Sequence, residues 1–162
     1  VTYGKGIFVA VSDTGPPPRV MTSPNGIEWT SQMSAANNAW SSVTYGSGIF
    51  VAVSEYGNRN CVMTSPDGIE WTSQVVADNY WSSVTFGNGF FVAVSGYPGS
   101  VMTSLDGTVW TDRTAASDNN WSSVTYGKGT FVAVSSYHSD DYDYNDDNYD
   151  YNDDAGVMTW KP

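Results

Sequence analysis

The sequence predicts an all-β fold: a β-propeller of four-stranded antiparallel blades, built from four tandem repeats. Three observations carry this expectation. A four-residue block recurs four times at near-constant spacing. Each copy contains short runs rich in β-branched and aromatic residues, separated by Gly, Pro, Asn and Asp. No stretch shows helical periodicity.

The recurring block is Val1-Thr2-Tyr3-Gly4, which returns from Val43, Val84 and Val124 at spacings of 42, 41 and 40 residues. Val20-Met21-Thr22-Ser23 returns from Val62 and Val101, and as Val157-Met158-Thr159. Trp-Ser-Ser begins at Trp40, Trp81 and Trp121. The single domain therefore divides into repeats 1–39, 40–80, 81–120 and 121–162. A four-stranded unit of about 40 residues has the size of a propeller blade. The expected architecture is a four-bladed ring, or half of a larger ring formed by oligomerisation.

The second copy shows the elements in order. Trp40-Ser41-Ser42-Val43-Thr44-Tyr45 is the first strand and ends at a Gly46-Ser47-Gly48 turn. Ile49 to Ser54 is the second, followed by a variable loop. Cys61 to Ser65 is the third and Ile69 to Ser73 the fourth. Between them, Ser65-Pro66-Asp67-Gly68 reads as a type I turn closed by a Gly bulge, a three-residue hairpin loop. The equivalent turn residues are Asn25 and Gly26, Asp67 and Gly68, and Asp106 and Gly107. Phe8, Phe50, Phe91 and Phe131 share one register, and Trp29, Trp71 and Trp110 another. Trp40, Trp81 and Trp121 form a third. A stacked repeat must bury its faces against its neighbours, so these rings are expected between blades. The fourth copy lacks its turn and fourth strand: either Trp160-Lys161-Pro162 stands in for the Trp-Ser-Ser absent before Val1, of this chain or a neighbouring one, or the sequence is a fragment of a longer array.

Ser65-Pro66-Asp67-Gly68-Ile69-Glu70-Trp71, with its copies at 23–29 and 104–110, resembles the Asp-box of sialidase-type propellers. Phe50-Val51-Ala52-Val53 resembles the inner strands of such repeats. The chain departs from the usual box by lacking one residue between Asp and Gly, and the first copy has Asn25 for Asp. The resemblance implies a structural hairpin away from the ligand face. It also raises glycoside hydrolysis, for which such enzymes use an arginine cluster with Tyr, Glu and Asp. Here Arg19, Arg59 and Arg113 lie at inequivalent places, and Glu28 and Glu70 share an outer position.

The formal net charge of −11 is localised. Eight Asp lie between Asp140 and Asp154, within an insert spanning 137–156, and the remainder is close to neutral. The insert is nearly palindromic about Asp146-Asp147 and reads as a hairpin with Tyr142, Tyr144, Tyr149 and Tyr151 on one face. The insert reads first as a solvated, mobile acidic loop; the alternative is that Ca²⁺ relieves the repulsion of opposed Asp residues, with Asp141, Asp143, Asp150 and Asp153 as the candidate ligands. No other cofactor is required.

Composition narrows the function classes. A sequence pI near 4.1 excludes nucleic-acid binding by phosphate neutralisation. No apolar run is long enough to span a membrane as a helix. The lone cysteine, Cys61, excludes an internal disulfide framework and a Cys-based zinc site. With His138 as the only histidine, a multi-His metal site is excluded and a Ser–His–Asp triad is strongly disfavoured. The leading expectation is a non-enzymatic extracellular binding or adhesion module for a glycan or protein ligand. Its candidate contacts are Tyr56, Asn58, Tyr97, Asn79 and Asn119, on variable loops and on the polar segments before each Trp. The alternative is a structural subunit of an extracellular filament, virion or surface assembly, forming homo-oligomers. A glycosidase is the least favoured. Asn120-Trp121-Ser122 matches a glycosylation sequon, which agrees with an extracellular or surface location.

Overall fold

The computed structural model describes residues 1–56, 59–96, 98–136 and 156–161. Blade 1 holds β1 (Thr2–Gly4), β2 (Ile7–Val11), β3 (Val20–Ser23) and β4 (Thr30–Gln32). Blade 2 holds β5 (Trp40–Gly46), β6 (Ile49–Ser54), β7 (Val62–Ser65) and β8 (Thr72–Gln74). Blade 3 holds β9 (Trp81–Gly87), β10 (Phe90–Ser95), β11 (Val101–Ser104) and β12 (Thr111–Arg113). Blade 4 holds β13 (Asn120–Gly127), β14 (Thr130–Ser136) and β15 (Val157–Trp160). Each blade is an antiparallel meander in sequence order, and the fourth has three strands among the described residues. This is the all-β, four-blade propeller arrangement.

The first two strands of each blade join through two-residue turns with positive φ at both positions, as in Ser47 (48°) and Gly48 (88°). That is the hairpin geometry whose twist matches the strands. In blades 2, 3 and 4 the register slips by one residue after the Trp, leaving Ser41, Ser82 and Ser122 bulged. The bulge turns the first two serines toward the next blade. Ser41 Oγ donates to the Trp81 carbonyl at 2.6 Å, and Ser82 Oγ donates to the Trp121 carbonyl at 2.5 Å. The second serine of each motif accepts instead: Val84 N donates to Ser42 Oγ, and Val124 N to Ser83 Oγ, both at 3.2 Å.

The core consists of three layers, one per junction between consecutive blades. Val9 and Val20 of blade 1 meet Trp40, Phe50 and Met63 of blade 2. Val51 and Val62 of blade 2 meet Trp81, Phe91 and Met102 of blade 3. Val92 and Val101 of blade 3 meet Trp121, Phe131 and Met158 of blade 4. Strand alternation explains the pattern, since odd and even positions face opposite neighbours. The expected interblade packing of Trp40, Trp81 and Trp121 is therefore found, with all three fully buried. Trp29, Trp71 and Trp110 are only half-buried.

Each junction also contains one glycine–aromatic contact. A Cβ on Gly4 would overlap the Tyr45 ring, one on Gly46 the Phe86 ring, and one on Gly87 the Tyr126 ring. Glycine at the end of the first strand thus sets how closely the next blade approaches. Gly127, the fourth equivalent, has nothing among the described residues within 4 Å of where its Cβ would lie. No extensive packing joins strands of blade 1 to strands of blade 4 among the described residues.

Two local expectations are corrected. The connection from β7 to β8 is not a three-residue hairpin, and Ile69 to Trp71 are not strand, because the last ladder pair is Thr64 with Thr72. Side chains replace the ladder there. Ser65 Oγ accepts from Gly68 N at 2.7 Å, and Asp67 Oδ1 accepts from Ile69 N and Glu70 N at 2.9 and 3.0 Å. Trp71 Nε1 donates back to the Gly68 carbonyl at 3.0 Å. Asn25 and Asp106 organise their turns in the same way. The second correction concerns Trp160, which does not replace the missing Trp-Ser-Ser. It lies in the Ser65 register, pairs with Phe131, and stacks on that ring at 4.5 Å against the layer shared with blade 3.

Two predictions follow from these contacts. Gly87→Ala should lower stability by about 1–3 kcal/mol through overpacking. Gly96→Ala should change it little, since its Cβ would meet only the Tyr80 carbonyl at 3.9 Å. Equilibrium denaturation of both variants measures the difference. The backbone N–H groups of Val109 and Thr108 hold the Asp106 carboxyl down at about 2. A depressed folded-state value means that the contribution is complete above about pH 4 and is lost as the pH falls through about 2. Asp106→Asn should fold normally, as Asn25 makes the same two bonds, and should show a flatter loss of stability from pH 4 to pH 2 in denaturant titrations.

Candidate functional site

A cavity of about 510 Å³ is lined by residues from all four blades. It is built on a position that changes from copy to copy. An equivalent serine stands at or beside the end of the second strand in every blade: Ser12, Ser54, Ser95 and Ser135. These hydroxyls fold the loops that follow. Ser12 Oγ donates to the Thr14 carbonyl at 2.8 Å, Ser95 Oγ to the Pro98 carbonyl at 2.8 Å, and Ser135 Oγ accepts from Gly156 N at 2.7 Å. The next residue then faces the cavity, and it is Asp13, Glu55, Gly96 or Ser136. Two carboxylates thus enter from blades 1 and 2, and two small residues from blades 3 and 4.

The rest of the wall is Ser41, Ser82 and Ser122 from the bulges, with Tyr80, Asn120 and Trp121 beside them. The Ser41 and Ser82 hydroxyls are engaged by the next blade's main chain. Ser122 Oγ donates to the Val134 carbonyl at 3.2 Å. Trp40 and Trp81 donate their Nε1–H to the carbonyls of Ala36 and Ala77, whereas Trp121 Nε1 is buried without a hydrogen-bond partner. Arg19 Nη1 donates to the main-chain oxygens of Asp13 and Asn38 at 3.0 and 2.8 Å, which fixes the loop carrying Asp13.

The ligand residues expected from sequence divide into three groups. Tyr56 is exposed and packs edge-on against Tyr80 at 5.1 Å, which puts it beside the cavity wall. Asn119 and Asn79 are half-buried. The Asn119 amide donates to Ser135 Oγ at 3.4 Å, and Asn79 Oδ1 accepts from Tyr80 N at 2.9 Å, so both brace the chain before Trp121 and Trp81. Neither lines the cavity. Asn58 and Tyr97 lie outside the described residues. So do His138 and the calcium candidates Asp141, Asp143, Asp150 and Asp153. Among the described residues, no three His, Cys, Asp or Glu are grouped so as to hold a metal ion. Asn120, the sequon residue, is half-buried at the start of β13 and contributes to the cavity wall rather than to a protruding loop.

Sequence reading missed Asp13 and Glu55. The available signal was their alignment: after an invariant serine, four copies give four different side chains. A second cavity of about 440 Å³ lies between blades 3 and 4, lined by Phe90, Val101, Thr103, Arg113, Thr114, Met158 and Trp160. Arg113 is tied there to Thr103 Oγ1 at 2.9 Å. The arginines do not converge on the four-blade cavity, and Glu28 and Glu70 are exposed on the outer connections. Among the described residues, no helix is long and apolar enough to cross a membrane.

No protein-family model matches the sequence, and no curated protein matches it. Solved structures do. The chain is similar to the computationally designed Ika4 protein, with 12% identity and a TM-score of 0.65, over 99% of this chain and 88% of that one. It is similar to the designed Ika8 protein at 10% identity and a TM-score of 0.59, over 98% of this chain and 44% of that one. It is also similar to YCF48 from Cyanidioschyzon merolae at 13% identity and a TM-score of 0.56, over 83% of this chain and 49% of that one. The chain thus spans less than half of the latter two. At these identities the likeness shows the propeller fold.

Cys61 is fully buried beside Asp78, with 3.4 Å between Sγ and Oδ1. Burial pushes its thiol up, and the Asp78 carboxylate adds to that push. The thiol should resist a disulfide reagent at pH 8 in the native protein and react at once when the protein is denatured. Absorbance of the released thiolate measures both rates.

Proposed function

We propose that this chain is a non-enzymatic binding module of extracellular or cell-surface setting, and that its ligand is a glycan held in the four-blade cavity. The observation that carries the reading is the division between invariant and variable residues. The repeated Trp, Ser, Gly and Val positions serve the junctions, whereas the position entering the cavity differs in every copy. The two carboxylates offer acceptors to hydroxyl groups, and Tyr80 with the neighbouring Tyr56 offers aromatic surface on which a sugar ring packs. A neutral, hydroxyl-rich ligand suits this wall better than an acidic one, because Asp13 and Glu55 would repel a carboxylate or sulfate.

The same reading takes the three Ser-x-Asp/Asn-Gly turns as Asp-box-like hairpins of purely structural role. Oδ1 of Asn25, Asp67 and Asp106 is in each case engaged by two backbone N–H groups of its own turn, which supports a structural role.

A glycan array followed by calorimetry tests the proposal. A neutral glycan should bind, and Asp13→Ala combined with Glu55→Ala should weaken it about tenfold or more. Binding unchanged in that variant would sink the assignment of the cavity. Release of reducing sugar from the bound glycan would sink the non-enzymatic reading.

A further inference from the structure

The two end blades present the two halves of a junction that the chain forms three times internally. We infer that a second copy of this chain completes them, with blade 4 of each copy docked on blade 1 of the other in a closed two-chain ring. The inference concerns how the propeller is assembled and goes beyond the identity of any ligand.

The internal junctions show what covers each face. At all three, the glycine ending one blade's first strand lies against the aromatic ring of the next blade: Gly4 against Tyr45, Gly46 against Phe86, and Gly87 against Tyr126. Gly127 is the fourth such glycine, and no described residue lies within 4 Å of where its Cβ would be. Tyr3 is the fourth such ring, and it is 59% exposed. Tyr3 is nevertheless held in the docking pose. Its centroid is 4.8 Å from Phe8 at 55°, and the half-buried equivalents Tyr45, Phe86 and Tyr126 lie 4.7 Å from their own Phe partners at 50–54°.

The flanking positions repeat the same complementarity. Val157 is 65% exposed on blade 4, while its equivalent Val101 is 3% exposed under the next blade. Met21 is 39% exposed on blade 1, while its equivalent Met63 is completely buried under the preceding one. At the hairpin tip of blade 1, Lys5 Nζ donates to the Pro66 carbonyl of the next blade at 2.9 Å. Blade 4 carries Lys128 at that tip, and blade 1 carries Pro24 at the receiving turn. The ring, the methionine and the receiving turn that a fifth blade would bring to blade 4 therefore have counterparts on blade 1, whereas the buried Trp of the internal junctions has none there.

Such an interface is heterologous, with different patches on the two partners, so it propagates until rotation closes it. Two copies form the smallest closed assembly, and closure leaves neither face open.

Light scattering on the eluting protein tests the inference. The expected mass is twice the 17.5 kDa of the chain. Gly127→Ala should weaken association about tenfold or more and yield monomer on dilution, with an unchanged far-ultraviolet circular dichroism spectrum, because its Cβ meets none of the described residues within one chain. Adding Tyr3→Ala to Gly127→Ala should restore part of the association if the two residues touch across the interface. A mass of one chain at about 0.1 mM, growth into open polymers, or a Gly127→Ala variant that dimerises like the parent would each overturn the inference. These readouts involve no glycan, so the outcome is separable from that of the binding proposal.

Discussion

The spacing between blades rests on a steric constraint, the absence of a Cβ at the end of each innermost strand. Gly4, Gly46 and Gly87 each lie where a methyl group would overlap an aromatic ring of the following blade. With the glycine in place, the ring drops onto bare backbone and the sheets close to packing distance. The valines of one blade then reach the Trp, Phe and Met of the next, and each layer becomes continuous. The bulged serines act at the same seam. Their hydroxyls bridge adjacent blades through main-chain oxygens, as in Ser41 to Trp81 and Ser82 to Trp121. Junction geometry is therefore set by backbone and small residues, and side-chain bulk fills the space that they define.

This economy of junction residues leaves other positions unconstrained. An equivalent serine closes the loop after each second strand, so the fold of that loop does not depend on the identity of the next side chain. Four blades can then carry Asp13, Glu55, Gly96 and Ser136 without disturbing the scaffold. The outer turns show the opposite behaviour. Asn25, Asp67 and Asp106 are nearly interchangeable because an amide oxygen and a carboxylate oxygen accept the same two backbone N–H groups at nearly the same distances.

Much of the fold was legible because repetition multiplies weak signals. One Trp-Ser-Ser says little, but three of them before identical Val-Thr runs mark first strands and predict buried indoles. The turn between third and fourth strands was misread. Its spacing resembled a short hairpin, and the sequence does not reveal that Asp67 and Trp71 hold a longer connection through side-chain bonds. Trp160 misled for a related reason: its identity suggested one register while its distance from Val157 dictated another. The cavity residues were the least legible. Functional guesses went to asparagines and tyrosines in variable loops, but Asn119 and Asn79 turned out to brace the backbone. Asp13 and Glu55, which line the cavity, carry no motif of their own.

Near-identity of the junctions also has a consequence for how such a chain changes over generations. Every seam uses the same Gly, ring and valine partners, so the local code says how to join blades but not how many to join. Duplication or loss of one unit of about 40 residues would leave each remaining seam chemically intact. Blade number is then a property of gene length rather than of side-chain specificity. The price is paid during synthesis: a blade leaving the ribosome cannot tell its own neighbour from that of another nascent chain except by proximity.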